Sequence, residues 1–201
     1  IRSKKVLNGV LMGIFFFLGM LSKEYGASLL VIAPIWVFVK QKKLNVGDIV
    51  MSVVPLIIAF VPYYILRTNA VMVGDMKDIK PDVLNDYFMF AKGDEAGATK
   101  IYIMLKYFLL QIFPYPLASD YSFNTIAYRH LSSPEVWLSI AFHLGLIGAL
   151  VYSIIKKNQI LVFGLLFYFV NLLLVCNLIF NIGASMGERL VYHSSLGLII
   201  L

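Results

Sequence analysis

Three short clusters along the chain combine residue types that could act together on a phosphorylated, membrane-bound substrate. Lys23-Glu24 stands between two apolar runs, where an ammonium can hold the phosphate of a lipid-linked molecule as a compact charge. The same pair serves equally as a polar turn whose charged ends reach for water. Pro114-Tyr115-Pro116-Leu117-Ala118-Ser119-Asp120-Tyr121-Ser122 is rich in proline and aromatic residues. Its prolines stiffen the backbone around Asp120, which could orient an acceptor hydroxyl or support a base, or cap a turn. In Gly187-Glu188-Arg189-Leu190-Val191-Tyr192, Arg189 offers the planar donor fork that suits phosphate and Glu188 is placed to orient it. The alternative is an ion pair that anchors a helix end.

Other polar residues read more plainly. His143, inside an apolar run, is expected to be a packed or hydrogen-bonded histidine, and Cys176 a small buried hydrophobe. Arg129-His130 and His193 make no metal-ligand spacing with Cys176, and no HExxH, P-loop or GxGxxG pattern occurs. No metal site is expected, and metal dependence stays open. The acids Asp75, Asp78, Asp82, Asp86, Asp94 and Glu95 read as a solvated loop face.

The elements that must position these clusters are helices in a bilayer. Hydrophobic residues make up 60% of 201 positions and the mean hydropathy is +0.84, against roughly 45–50% apolar in soluble domains. Apolar runs fall at about 6–21, 25–39, 46–66, 134–155, 159–180 and 190–201. Each approaches the roughly 20 residues of a spanning helix, giving five full spans and one truncated span. One continuous helix through the first two runs would bury Lys23 and Glu24 near the midplane, so two helices joined by a tight turn are expected.

The net charge of +6 carries no basic stripe interleaved with stacking aromatics, which argues against nucleic acid. It reports orientation instead. Arg2, Lys4, Lys5, Lys40, Lys42, Lys43, Lys156 and Lys157 fall on one side, opposed only by Asp48, and the positive-inside rule makes that side cytoplasmic. The segment 101–113 is too short to cross and would invert every later span. It is expected to lie in the outer interface, with Tyr102, Lys106, Tyr107 and Gln111 as its amphipathic and snorkelling positions. Residues 67–133 then form one large outer loop, and all three polar clusters emerge on the outer face. The fold class is an all-α polytopic membrane bundle in a single domain over 1–201. Asn69, Asn85 and Asn124 lack the Asn-x-Ser/Thr pattern, which leans towards a bacterial inner membrane over the endoplasmic reticulum.

Taken in order, Leu21-Ser22-Lys23-Glu24-Tyr25-Gly26, Phe113-Pro114-Tyr115-Pro116-Leu117 leading into Ser119-Asp120-Tyr121-Ser122, and Gly187-Glu188-Arg189-Leu190-Val191-Tyr192 resemble one family. It is similar to the transmembrane and tetratricopeptide-repeat O-mannosyltransferases and their bacterial relatives, from about residue 6 to the end. The resemblance implies a GT-C type membrane glycosyltransferase that moves a sugar, typically mannose, from a polyprenyl-phosphate carrier to a protein hydroxyl on the extracytoplasmic face. It implies Lys23 and Arg189 on the lipid phosphate, and Glu24, Asp120 and Glu188 orienting groups or the acceptor. Tyr121 and Tyr192 are then placed against acceptor or sugar. The implied partners are membrane lipid, the lipid-linked sugar and an acceptor protein.

That class carries its main catalytic acid in an outer loop near the N-terminus. Because the chain opens on Ile1 and stops within 196–201, it is expected to be a fragment that lacks that loop and the repeat domain, inactive by itself. A transporter or flippase subunit, for which Pro34, Pro55 and Pro62 speak, and a non-catalytic scaffold are the rival readings.

Overall fold

Helices account for the regular structure, because the apolar runs carry few residues that end a helix and place their breakers between runs. The computed structural model describes residues 2–41, 46–73, 87–118, 121, 125–179 and 181–201, with the side chains of 2–5 and 71–73 left aside. Among these residues there is no strand. In chain order the helices are α1 (Arg2–Ser22), α2 (Leu29–Gln41), α3 (Val46–Val73), α4 (Glu95–Ile112), α5 (Pro134–Ile155), α6 (Gln159–Val175) and α7 (Tyr192–Ile199). A 3-10 turn, Glu24–Ser28, leads into α2, and a second, Glu188–Val191, leads into α7. The chain divides into two compact units, Ile1–Ile79 and Lys80–Leu201.

In the first unit, α1 ends at Ser22 and Lys23 adopts an extended backbone (φ −158°, ψ 131°), so the two expected helices are separate. The helix after the junction starts at Leu29 rather than residue 25, because Glu24–Ser28 winds as the tighter 3-10 form. Helices α1 and α3 pack through Phe16, Met20, Leu56, Ala59 and Tyr63. Gly9 and Gly13, one turn apart, let α1 approach α3: a Cβ on Gly13 would lie 3.1 Å from the Pro55 carbonyl oxygen. Pro34, Pro55 and Pro62 sit inside α2 and α3, which run continuously through them. The third apolar run also extends past residue 66 to Val73, so Arg67, Thr68 and Asn69 are helical and not the start of a loop.

In the second unit, α5 has the bounds expected from its apolar run and opens with Ser133 as N-cap and Pro134 at the first turn. It closes on Lys157 at φ 56°, with Lys157 N–H donating to Ile154 O (3.0 Å) and Asn158 N–H to Ser153 O (2.9 Å), a Schellman close. Helix α6 stops at Val175 instead of 180, and α7 begins at Tyr192. His143 is buried, with Nδ1 2.8 Å from the Ser139 carbonyl oxygen, and Cys176 is a buried free thiol.

Two of the described helices are long and apolar enough to cross a membrane, within Val46–Ala70 and Pro134–Ile155. The apolar helices Val6–Ser22 and Gln159–Val175 are shorter. Much apolar surface faces outward: Phe15 is 68% exposed, Ile58 66% and Leu138 61%.

Candidate functional site

Helix α4 places the second cluster against the third. It starts at Glu95, not at residue 101, and packs on α5 and on the second 3-10 turn. Its buried face carries Ala98, Thr99, Ile103 and Tyr107. Tyr107 is fully buried and its hydroxyl accepts the Gly187 N–H at 3.0 Å, so it is a packing residue and not a snorkelling one. Both amide atoms of Gln111 are buried as well. Of the four positions read as the polar edge, Tyr107 and the Gln111 amide therefore turn inward, Tyr107 onto a backbone donor, while Tyr102 and Lys106 stay half-exposed with Lys106 Nζ 5.7 Å from the Tyr102 ring centroid.

Glu188 is the hub of this arrangement. One carboxylate oxygen accepts the Ala118 N–H at 2.7 Å and the Tyr121 O–H at 3.0 Å, across 70 and 67 residues of sequence. Ser185 Oγ donates to the Tyr121 carbonyl oxygen at 2.7 Å, which fixes the same residue from its backbone. Burial, and then the adjacent Glu188 carboxylate, push the Tyr121 phenol above its ordinary pKa of 10.0. The proton therefore stays on the phenol, and the bond to Glu188 persists through neutral pH.

This geometry changes two roles. Glu188 makes no ion pair with Arg189; it clamps Ala118 and Tyr121, and Arg189 stands exposed with its guanidinium unengaged among the described residues. Tyr121 is 8% exposed with its hydroxyl committed to Glu188, so it sits within the clamp, whereas Tyr192 is 66% exposed. Asp120, the preceding residue, lies outside the described residues, as do Ser119 and Ser122.

A further residue, Asn177, holds the loop that carries Glu188. Its side chain accepts the Ile182 N–H (2.9 Å) and donates to the Ala184 and Ser185 carbonyl oxygens (2.9 and 3.1 Å). Lys100 reaches the same loop from α4 through Asn181 Oδ1, at 3.2 Å. Neither residue was singled out from the sequence; an asparagine just after an apolar helix was the available signal.

Of the acids read as a solvated loop face, Asp75, Asp78, Asp82 and Asp86 lie outside the described residues, while Asp94 is exposed and Glu95 half-buried, both with partners. Asp94 accepts the Leu131 N–H at 2.5 Å, and His130 lies between the two carboxylates, 3.3 Å from each. The Leu131 N–H, and then His130, hold the Asp94 carboxyl below its ordinary 3.8. A depressed carboxylate contributes stability that is present above its unfolded pKa and lost as pH falls through the folded one. Hydrogen exchange at the Leu131 amide is expected to stay slow through the ordinary carboxylate range and to accelerate only as pH falls below it. Asp94→Asn is expected to flatten that acid limb; an unchanged limb would show that another carboxylate sets it.

In the first unit, Lys23 and Glu24 are both exposed, and Lys23 Nζ lies 5.9 Å from the Tyr25 ring centroid. Glu24 lines a cavity of about 340 Å³ together with Tyr63 and Arg67, over an apolar wall that includes Met20 and Leu66. Arg67 Nη1 donates to the Tyr63 hydroxyl oxygen at 3.1 Å. Arg67 was expected in a loop, and its helical position one turn after Tyr63 is what brings it to this cavity. Comparisons with protein-family models, curated proteins and solved structures return no match.

Proposed function

We propose that this chain is part of a polytopic membrane glycosyltransferase that moves a sugar, mannose by the motif resemblance, from a polyprenyl-phosphate carrier to protein Ser/Thr hydroxyls on the extracytoplasmic face of a bacterial inner membrane. The observation that carries the reading is the Glu188 clamp. Two of the three motifs lie about 70 residues apart and share one carboxylate. Such a tie is expected of a composite site and is not needed by a plain bundle of helices.

Membrane embedding is supported by the outward apolar surface and the one-sided Lys and Arg clusters. The 3-10 turn and α2 together rise about 30 Å, enough to cross a hydrocarbon core although α2 alone is too short. In the proposed chemistry Arg189, exposed beside the clamp, neutralises the departing lipid phosphate, and the motif resemblance alone assigns Lys23 to that phosphate as well. Glu188 acts through Ala118 and Tyr121, the two residues it holds, and the motif resemblance assigns Asp120 to orienting the acceptor. Deprotonation of the acceptor hydroxyl falls to a carboxylate. The main one is expected in an outer loop beyond these residues. The rival transporter reading relied on prolines interrupting the helices, and these helices continue through them.

The test uses the full-length protein in membranes, supplied with radiolabelled polyprenyl-phosphate mannose and a Ser/Thr peptide. Transfer is expected, with Lys23→Ala and Arg189→Ala each lowering it roughly a hundredfold. If the intact protein transfers no sugar, or both variants work at the unaltered rate, the reading fails.

A further inference from the structure

Opposite charges line the first unit's cavity without pairing with each other: among the described residues Glu24 makes no ion pair and Arg67 is hydrogen-bonded to Tyr63 alone. A guanidinium has five N–H donors, and the Tyr63 bond uses one of them. The Tyr63 oxygen accepts in that bond, which leaves its own O–H to donate into the cavity. The cavity thus offers a fixed cluster of donors suited to phosphate and a carboxylate suited to an ammonium. Its wall, from Met20, Leu66 and Ala70, is apolar. Each charge alone has an ordinary explanation at a helix end; the two together, over an apolar wall, suit an amphiphile that carries both a phosphate and an ammonium.

We infer that this cavity is a headgroup site for a zwitterionic glycerophospholipid of the ethanolamine type, with phosphate on Arg67 and Tyr63, ammonium on Glu24, and acyl chains along Met20 and Leu66. Tyr63 is 8% exposed and belongs to the α1/α3 core, so its hydroxyl anchors one nitrogen of the guanidinium at the cavity. An ethanolamine ammonium has N–H donors for the Glu24 carboxylate, and a choline headgroup has none. The site therefore favours ethanolamine over choline, and over an anionic glycerol headgroup that brings nothing for Glu24. The inference rests on membrane embedding and is independent of sugar transfer.

The test is native mass spectrometry of the full-length protein ejected from nanodiscs of equal phosphatidylethanolamine, phosphatidylglycerol and phosphatidylcholine. Phosphatidylethanolamine is expected to be retained preferentially. Arg67→Gln is expected to lower phospholipid retention roughly tenfold, the loss of one charge-assisted contact. Glu24→Gln is expected to erase the preference for ethanolamine while phosphate-dependent retention survives. Lys40→Gln, which removes an exposed cation of the same unit, is expected to change nothing. Helical circular dichroism checks that each variant folds. Equal retention of phosphatidylglycerol would reduce the cavity to an anion site and overturn the inference, as would an Arg67→Gln protein that keeps its lipid. Displacement by soluble glycerophosphoethanolamine at low millimolar concentration would refute the part assigned to the acyl chains. A protein that fails to enter nanodiscs at all would overturn the membrane reading itself, whereas failure of sugar transfer leaves the lipid result intact.

Discussion

Asn177→Ala is expected to destabilise the second unit by about 3 kcal/mol, the sum of lost hydrogen bonds and backbone strain. Asn177 is 2% exposed and sits at φ 60°, in the left-handed region where asparagine is tolerated better than alanine. Its amide satisfies the Ile182 N–H and the carbonyls of Ala184 and Ser185, closing the chain into a loop directly after α6. Alanine keeps the strained backbone and leaves one donor and two acceptors without their partner. The consequence reaches the candidate site. Ser185 holds the Tyr121 backbone and Gly187 bonds the Tyr107 hydroxyl, so a loosened loop no longer presents Glu188 to Ala118 and Tyr121. Asn177→Gly relieves the strain but not the lost bonds, and is expected to fall between the two proteins. Denaturant unfolding in detergent, with hydrogen exchange at Ile182, measures both effects. An alanine variant as stable as the parent, with Ile182 still protected, would mean that the side chain does not organise the loop.

Asn177 also shows where the sequence stops being legible. Residues 176–180 continue the apolar composition of α6, so hydropathy carries the run to 180 although the helix ends at Val175. The end is set by a residue that can turn left-handed and then hydrogen-bond its own loop, a matter of geometry and not of polarity. Helix α3 fails in the opposite sense. Arg67, Thr68 and Asn69 look like a loop, yet the Thr68 hydroxyl bonds back to the Tyr64 and Ile65 carbonyl oxygens and Arg67 to Tyr63, so the polar turn stays helical. Polarity marks the environment of a segment and says little about its dihedral angles. Where a start signal coincided with a change in composition, as at Ser133-Pro134, the element was legible with its bounds.

The candidate site was legible as motifs and not as contacts. Glu188 and Arg189 are neighbours, and adjacency suggested a pair. In the 3-10 turn, neighbouring side chains diverge, and Glu188 turns to a segment 70 residues away while Arg189 stays free. No spacing rule could have found Ala118 as the partner, because its contribution is a backbone N–H. Arg67 was missed for a related reason: once assigned to a loop, it had no i, i+4 relation to Tyr63.

Gly197→Ala is expected to cost about 2–4 kcal/mol, at the high end for adding one methyl group to a packed interface. Helices α6 and α7 cross where Gly164 and Gly197 meet. A Cβ on Gly197 would lie 2.6 Å from the Tyr168 nitrogen, 2.7 Å from the Gly164 oxygen and 2.9 Å from the Tyr168 Cα. All three are backbone atoms of α6, so no rotamer change makes room and the helices must separate. Separation opens the packing around Tyr168, Leu172 and Ser194, all fully buried. Gly164→Ala meets the Gly197 oxygen and a Leu201 methyl, each at 2.9 Å, and because that methyl can swing aside the expected loss is smaller. Thermal unfolding in detergent ranks the two variants, and a Gly197→Ala protein as stable as the parent would show that α7 does not pack this closely. The same displacement bears on function. Helix α7 follows directly on the turn that carries Glu188, so pushing it away from α6 draws the carboxylate off Ala118 and Tyr121. If the clamp serves sugar transfer, Gly197→Ala lowers transfer at temperatures where the protein remains folded, although residue 197 bears no chemical group of its own.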